Sequence, residues 1–558
     1  MKNLKSWFLK FKDSIFENKI LCGIFLLALL LRVLGTSYGF PAILNIDEPS
    51  FVRSVIGLRF NLDPNRFDWP HTHLYINFIL YTLFYYFRVF LQILNLRPYI
   101  ESVLPIIWHD PIVFYFISRI VNAFIGALTV IPVFLSSVIL LKSRKLALMS
   151  ALLFSFIPFH VYDSHLALLD TPMAFWVAWF LYFSLRIIKN PTARNFILSG
   201  IFMGLAFGTK YNAFFYYFIW GLCVLYSAFK YPIWEKSGML HFKNFKLGVS
   251  LLFSARYLKR YFLHFLSFLG AYVITNPTVV TNFDLFWSSK YGRGFLFQFG
   301  NVGTLDWLEY PNSLLENLYY QSVGDYGYTL YIFIALAMAL FIFFNYRTKV
   351  NYLTALFPLL MYLYISKKER NPSHYFLFLY PLLAIFVTSF LKDLSNYIAS
   401  YVVRFSTAGS KKVKEYVLYI IFILLMISPV YESLLIVYRF VRPDTRVMAY
   451  EWLQENLTKE DRLYYYGSDL ELLPYVNLST KKIERVDEDY VSEDSLPFYL
   501  FLGVKDLTYS DIMEGERDTR KIEGNESRFV NNSDLVFFQV PENQLGPSVF
   551  IFKVYSVE

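Results

Sequence analysis

The sequence predicts an all-α polytopic membrane domain of about eleven transmembrane helices, followed by a small α/β domain on the extracytoplasmic side. Three observations predict it. First, 56% of the 558 residues are hydrophobic and 20% aromatic against 17% charged, with mean hydropathy +0.40, more apolar surface than one soluble core can bury. Second, apolar runs recur between Ile20 and Val437 at lengths near the roughly 20 residues that cross a ~30 Å hydrocarbon layer, with Lys and Arg in the loops between them. Third, the texture becomes soluble after Pro443, where more than half of the 43 acidic residues fall, so the excess behind the net charge of +9 lies in the apolar part. Basic residues spread between spans do not form the single stripe that nucleic acid requires, and no such partner is expected.

Taken in order, "MKNLKSWFLKFKDSIFENK" holds five lysines and places the N-terminus in the cytoplasm. The apolar run after it continues past the point where a small-residue cleavage site would end a signal peptide, so a retained anchor is expected. This first span, about 20 to 34, delivers "NIDEPSFV" (45–52) to the outer face and opens a first external loop of about 36–111. The apolar run 74–94 is long enough to cross. Counting it as a crossing, however, would invert "KSRK" (142–145), "RIIKNPTAR" (186–194), the basic 230–260 segment and "GSKKVK" (409–414). We therefore read it as an interfacial helix, with Arg88 among aromatic residues suited to the headgroup level.

Further spans are expected near 112–141, 146–161, 172–188, 196–209, 211–229, 261–275, 328–344, 352–365, 375–391 and 416–437. With an odd total, the C-terminal region lies outside. The division falls at 1–440 for the membrane domain and 441–558 for the soluble one. There "DTRVMAYEWLQENL" (444–457) has helical periodicity behind an Asp N-cap candidate, "RLYYYG" (462–467) and "LVFFQV" (535–540) read as strands, and "VFIFKVYSV" (549–557) closes a small α/β domain. Cys22 and Cys223 sit inside apolar runs as packing residues and define no disulfide framework.

Ionisable groups at membrane depth are costly, and each needs a reason. This topology gathers Asp47, Glu48, Asp163, His165, Asp170, Lys210 and "SKKER" (366–370) at the outer face. The bases Lys367, Lys368 and Arg370 run against the positive-inside trend, which an anionic ligand there accounts for. A phosphate on a lipid carrier suits them, since Arg offers a bidentate fork and Lys a point charge. In glycosyl transfer from such a carrier, cations favour departure of the phosphate and a carboxylate removes the proton of the acceptor hydroxyl. The plainer readings are helix capping for Asp47 and Asp170, a helix-dipole contact for Glu48 and snorkelling for Lys210.

Several blocks together resemble the GT-C superfamily of integral-membrane glycosyltransferases, nearest the protein O-mannosyltransferase and lipid A aminoarabinose transferase branch. "NIDEPSFV" resembles its first-loop Asp-Glu motif, and "SRIVNAFIGALTVIPVFL" (118–135) its Arg-containing second span. "HLALLDTPMAF" (165–175), "GLAFGTKYNA" (204–213), "RNPSHYFLFLYPLLAI" (370–385) and "DTRVMAYEWLQENL" resemble later blocks in the same order. The resemblance implies Asp47, with Glu48, as the catalytic pair and a polyprenyl-phosphate sugar as donor. Lys210, Lys367, Lys368 and Arg370 are then candidates for the donor phosphate, and Arg119, Asp170, His165, His374 and Tyr375 for substrate contact or support. The acceptor is a protein, lipid or glycan hydroxyl, and the setting a cell inner or plasma membrane. "DWPHTHLYINF" (68–78) departs from the Pro-Pro-Leu element of many relatives. His71, His73, His165 and Asp170 lack the spacing of a metal site, so no cofactor is specified, while a divalent metal stays admissible. The rival reading is a transporter or flippase of lipid-linked sugars; it calls for paired broken helices, and the sequence has no internal repeat.

Overall fold

The computed structural model describes residues 19–233, 248–288, 294–297, 303–323, 349–369, 372–402, 410–458, 460–466, 482–485, 497–504, 533–539, 545 and 548–555. The expected span at 328–344 and the candidate Arg370 lie outside these residues. The chain divides into two compact units. One comprises Met1–Val33, Phe51–Leu104 and Ile117–Leu434; the other comprises Leu34–Ser50, Pro105–Phe116 and Leu435–Glu558.

The first unit is helical. Among the described residues, six helical stretches are long and apolar enough to cross a membrane: Thr72–Ile93, Ile112–Leu141, Asp170–Lys189, Tyr211–Phe229, Ser373–Val402 and Lys412–Asn456. Thr72–Ile93 is therefore classed by length and composition with the spanning helices, although the charge of the loops argued for a helix lying flat. The expected span 112–141 is the stretch Ile112–Leu141, whose two helical segments Ile112–Leu128 and Val130–Leu141 join through Thr129 with its backbone still helical (φ −61°, ψ −23°). At "KSRK" the chain turns through Lys142 in the left-handed region (φ 51°) and the Ser143 hydroxyl accepts from the Leu146 N–H, so the basic loop is a tight connection with its own N-cap. The expected span 146–161 is divided, into Arg144–Ser155 and Pro158–Asp163, with Ile157 extended between them.

Burial sorts the helices. Every residue from Phe376 to Leu391 is buried, the signature of a helix apolar all round and surrounded by others. The long helix Ser410–Val441 instead exposes Ile420, Ile423, Leu424, Ile427 and Leu434, an apolar surface that is costly to leave in water. Helix Ala193–Phe207 packs on Ala255–Thr275 along a stripe of Gly200, Gly204 and Gly208. A Cβ on Gly200 or Gly204 would meet backbone oxygens of His264 and Phe268, and one on Gly208 the side chains of Thr72 and Asn276. Glycines at every fourth position let the two backbones approach. On its other side the same helix packs Phe202 flat against Phe183, with ring centroids 5.3 Å apart.

Among the described residues, the second unit holds a five-stranded sheet formed by β1 Arg462–Tyr466, β2 Lys482–Arg485, β3 Phe498–Val504, β4 Ser533–Gln539 and β5 Ser548–Val554, in the order β2-β1-β3-β5-β4. β1 is parallel to both neighbours, while β5 is antiparallel to β3 and β4. Helix Thr445–Asn456 covers it, with Trp452 5.7 Å from the Phe537 ring. β1 and β4 fall where the apolar patterning placed strands, and β5 forms from the apolar segment that closes the chain. β2 and β3 were not anticipated.

Candidate active site

The glycine stripe has a consequence at its end. Helix Ala193–Phe207 stops with the Ala206 carbonyl accepting from both Thr209 and Lys210 N–H groups, and Lys210 then turns extended (φ −155°, ψ 131°) into the 3-10 helix Tyr211–Tyr216. The Lys210 Nζ donates to both carboxylate oxygens of Asp170, at 2.6 and 2.8 Å. It also stands 5.3 Å from the Tyr375 ring centroid, a cation–π distance, and His374 packs edge-on against that ring. His374 lies within electrostatic reach of both Asp170 and Lys210. The fold thus brings together four of the sequence candidates, contributed by three separate blocks.

Asp170 opens helix Asp170–Lys189 but does not cap it. That role belongs to Asp163, whose Oδ2 accepts from the Thr171 N–H at 3.1 Å and the Thr171 hydroxyl at 2.7 Å. Asp163 is 1% exposed. Burial, and then the charge of Asp170, push its carboxyl up to about 7. A polar chain runs on from it: the Thr171 hydroxyl meets Ser164, Ser164 meets His160, and the Arg32 guanidinium reaches His160 Nδ1 at 3.0 Å. Gly126 makes room for this chain, since a Cβ there would strike the Ser164 hydroxyl.

The other candidates of this unit are more dispersed. His165 is buried and its Nδ1–H donates to the Val161 carbonyl at 2.8 Å. Arg119 is fully buried on helix Ile112–Leu128. Lys367 lies over the Trp307 ring at 3.6 Å and Lys368 over Tyr364 at 5.1 Å, so aromatic faces hold both ammonium groups. His71 is a structural residue of the "DWPHTH" loop: it is fully buried, its Nε2–H donates to the Arg66 carbonyl at 2.6 Å and its Nδ1 accepts from Thr278. Burial pulls its imidazole down to about 4, which keeps it neutral. His73 is fully buried beside Asn77. Among the described residues, no three His, Cys, Asp or Glu side chains gather as a metal-ligating group.

Asp47 and Glu48 belong to the second unit. Helix Glu48–Gly57 starts directly after Asp47, and Asn45 Oδ1 accepts from the N–H groups of Asp47 at 2.9 Å and Glu48 at 3.2 Å. Asn45 thus holds the turn by its own side chain. Asp47 is exposed and Glu48 fully buried, so the two adjacent carboxylates occupy different environments. Asn45 and Asp163 are the site residues that sequence reasoning missed as anchors. The Asn two residues before Asp47 was a legible turn signal, whereas a cap supplied from eight residues upstream has no local signature.

The first unit thus combines helices long and apolar enough to cross a membrane with an ion pair flanked by aromatic residues, in a chain that also carries a sheet. Residues 108–269, which include Arg119, His165, Asp170 and Lys210, match the family described as dolichyl-phosphate-mannose-protein mannosyltransferase. Over that segment the match bears out the resemblance read from the sequence. No curated protein matches the chain significantly. Among solved structures, the Archaeoglobus fulgidus oligosaccharyltransferase in complex with Zn and sulfate is similar at 13% identity, covering 95% of this chain and 72% of that one, with a TM-score of 0.46. ArnT from Cupriavidus metallidurans bound to undecaprenyl phosphate is similar at 12% identity, covering 96% and 98%, with a TM-score of 0.43. The S. cerevisiae protein O-mannosyltransferase Pmt1-Pmt2 complex bound to the sugar donor gives 19% identity, 46% and 34% coverage and a TM-score of 0.31.

Proposed function

We propose that the chain is an inverting glycosyltransferase that moves a sugar from a polyprenyl-phosphate carrier to an acceptor hydroxyl on the extracytoplasmic side of a membrane. The observation that supports this reading most is that the segment matching the mannosyltransferase family carries the Asp170–Lys210 pair with Tyr375 and His374 beside it. Topologically the proposal includes about eleven crossings, a cytoplasmic N-terminus, a membrane domain over 1–440 and an external domain over 441–558.

In this scheme the Asp47 carboxylate takes the proton of the acceptor hydroxyl. The acceptor oxygen bonds to the anomeric carbon from the face opposite the phosphate, and the bond from that carbon to the phosphate oxygen breaks with its electron pair. Inversion follows from a single displacement. The departing phosphate gains charge, which Lys210 stabilises as it exchanges Asp170 for phosphate oxygens. Lys367, Lys368 and Arg370 are proposed as further cations for the carrier, and Arg119, His165, Asp170, His374 and Tyr375 as supporting residues. Glu48, buried at the first turn of its helix, orients the loop or the acceptor.

The test is transfer from a panel of radiolabelled polyprenyl-phosphate sugars by the reconstituted chain. We expect one sugar to be transferred with inverted anomeric configuration. Accumulation of labelled carrier on the opposite leaflet without transfer would instead support the rival transporter.

A further inference from the structure

We infer that Tyr38, Asp444 and Arg446 form a clamp that positions the Asp47 loop, an inference that rests on Asp47 being the base proposed above. The loop from Leu34 to Ser50 leaves the first span through two glycines with positive φ, Gly35 at 92° and Gly39 at 78°. A Cβ on Gly35 would collide with Phe440, so the loop lies directly on the end of the long helix Ser410–Val441. Between the glycines, the Tyr38 ring meets Phe440 edge-on, with centroids 5.0 Å apart, and its hydroxyl donates to Asp444 Oδ2.

Asp444 is fully buried and serves two masters. As N-cap of helix Thr445–Asn456 it accepts from the Arg446 N–H at 2.9 Å. Its two oxygens also accept from the Arg446 guanidinium, Nε at 2.8 Å and Nη2 at 3.0 Å, a bidentate fork. The remaining arm, Nη1, donates to the Leu44 carbonyl at 3.4 Å. An N-cap needs only the carboxylate; the guanidinium arm toward Leu44 does nothing for the helix. It fixes the backbone three residues before Asp47, while Tyr38 fixes it six residues before Leu44. Between them, Ala42, Ile43 and Leu44 are buried. The chain emerges at Asn45, whose side chain holds the Asp47 and Glu48 N–H groups. The exposed carboxylate of Asp47 is therefore aimed by a buried ion pair of the external domain.

Two measurements on the full-length chain in lipid nanodiscs test this. Tyr38→Phe and Arg446→Gln should each lower kcat by roughly 10-fold to 100-fold, the cost of about 1 Å of misplacement, with the KM for the donor lipid unchanged. Arg446→Lys should recover only part of the loss, because it keeps the charge and loses the fork. Independently of any activity, amide exchange over residues 42–48 should rise in Arg446→Gln while exchange over β3 and β5 stays as in the parent, with Glu455→Gln as the exposed control. Unchanged kcat and unchanged exchange over 42–48 would overturn the clamp. Exchange rising equally through the sheet would reduce Arg446 to a stability residue and overturn it as well. Loss of sugar transfer as an activity of the parent chain would sink the functional reading alone, and the exchange arm would still decide whether the clamp exists.

Discussion

Lys210 illustrates how far a single residue can be read. As a lysine at a short helix end it is indistinguishable from a snorkelling side chain, but the fold seats it on Asp170, which is 6% exposed at the side chain. Removing one partner of such a pair strands the other charge. Lys210→Met should therefore destabilise the protein by about 3 kcal/mol, and a thermal midpoint in detergent that stays at the parent value would contradict the pairing. Asp163 yields a pH prediction. Its folded carboxyl titrates near 7, above the ordinary value of 3.8, so the folded state holds the proton more tightly than the unfolded chain. That contribution is fully present below the unfolded value and is lost as pH rises toward and through the folded one. Thermal stability should fall as pH is raised across this window, and Asp163→Asn, which keeps an acceptor for Thr171, should flatten that part of the profile. An identical slope in the variant would show that another group is responsible.

At the scale of elements, the glycine stripe makes opposite predictions for two glycines in similar helices. Gly204→Ala forces a Cβ against the Phe268 backbone oxygen and should cost about 1–3 kcal/mol. Gly270 has nothing within 4 Å of a Cβ, so Gly270→Ala should leave the midpoint unchanged or raise it. If both behave alike, the close approach of Ala193–Phe207 to Ala255–Thr275 is not what the stripe secures. These elements also show what was legible in advance. Long apolar periodicity revealed Ala193–Phe207, Asp170–Lys189 and Ser410–Val441, because hydrophobicity and length act locally. The stretch Ile112–Leu141 was legible too, because its apolar run carries on through Thr129 without any polar interruption. β2 was invisible because four residues, "KIER", carry too little pattern, and parallel strands are chosen by distant partners. The Asp444 cap was legible since its signal sits directly ahead of its helix, whereas Asp163 caps from a different helix.

For the whole molecule, the apolar helices and the C-terminal sheet were legible in the sequence, as were the types of residue that the proposed chemistry needs. It did not supply which charges pair. The partners of Lys210, Asp163 and Arg446 are settled by three-dimensional proximity and by the cost of leaving a charge unpaired in an apolar interior. The proposed base is Asp47, exposed directly before its helix. The most direct measurement compares Asp47→Asn with the parent chain, following sugar transfer and donor-lipid binding in the same proteoliposomes. The account predicts that transfer falls by at least about 100-fold, as expected for loss of a general base, while the donor binds as before. Transfer at the parental rate by Asp47→Asn would contradict it.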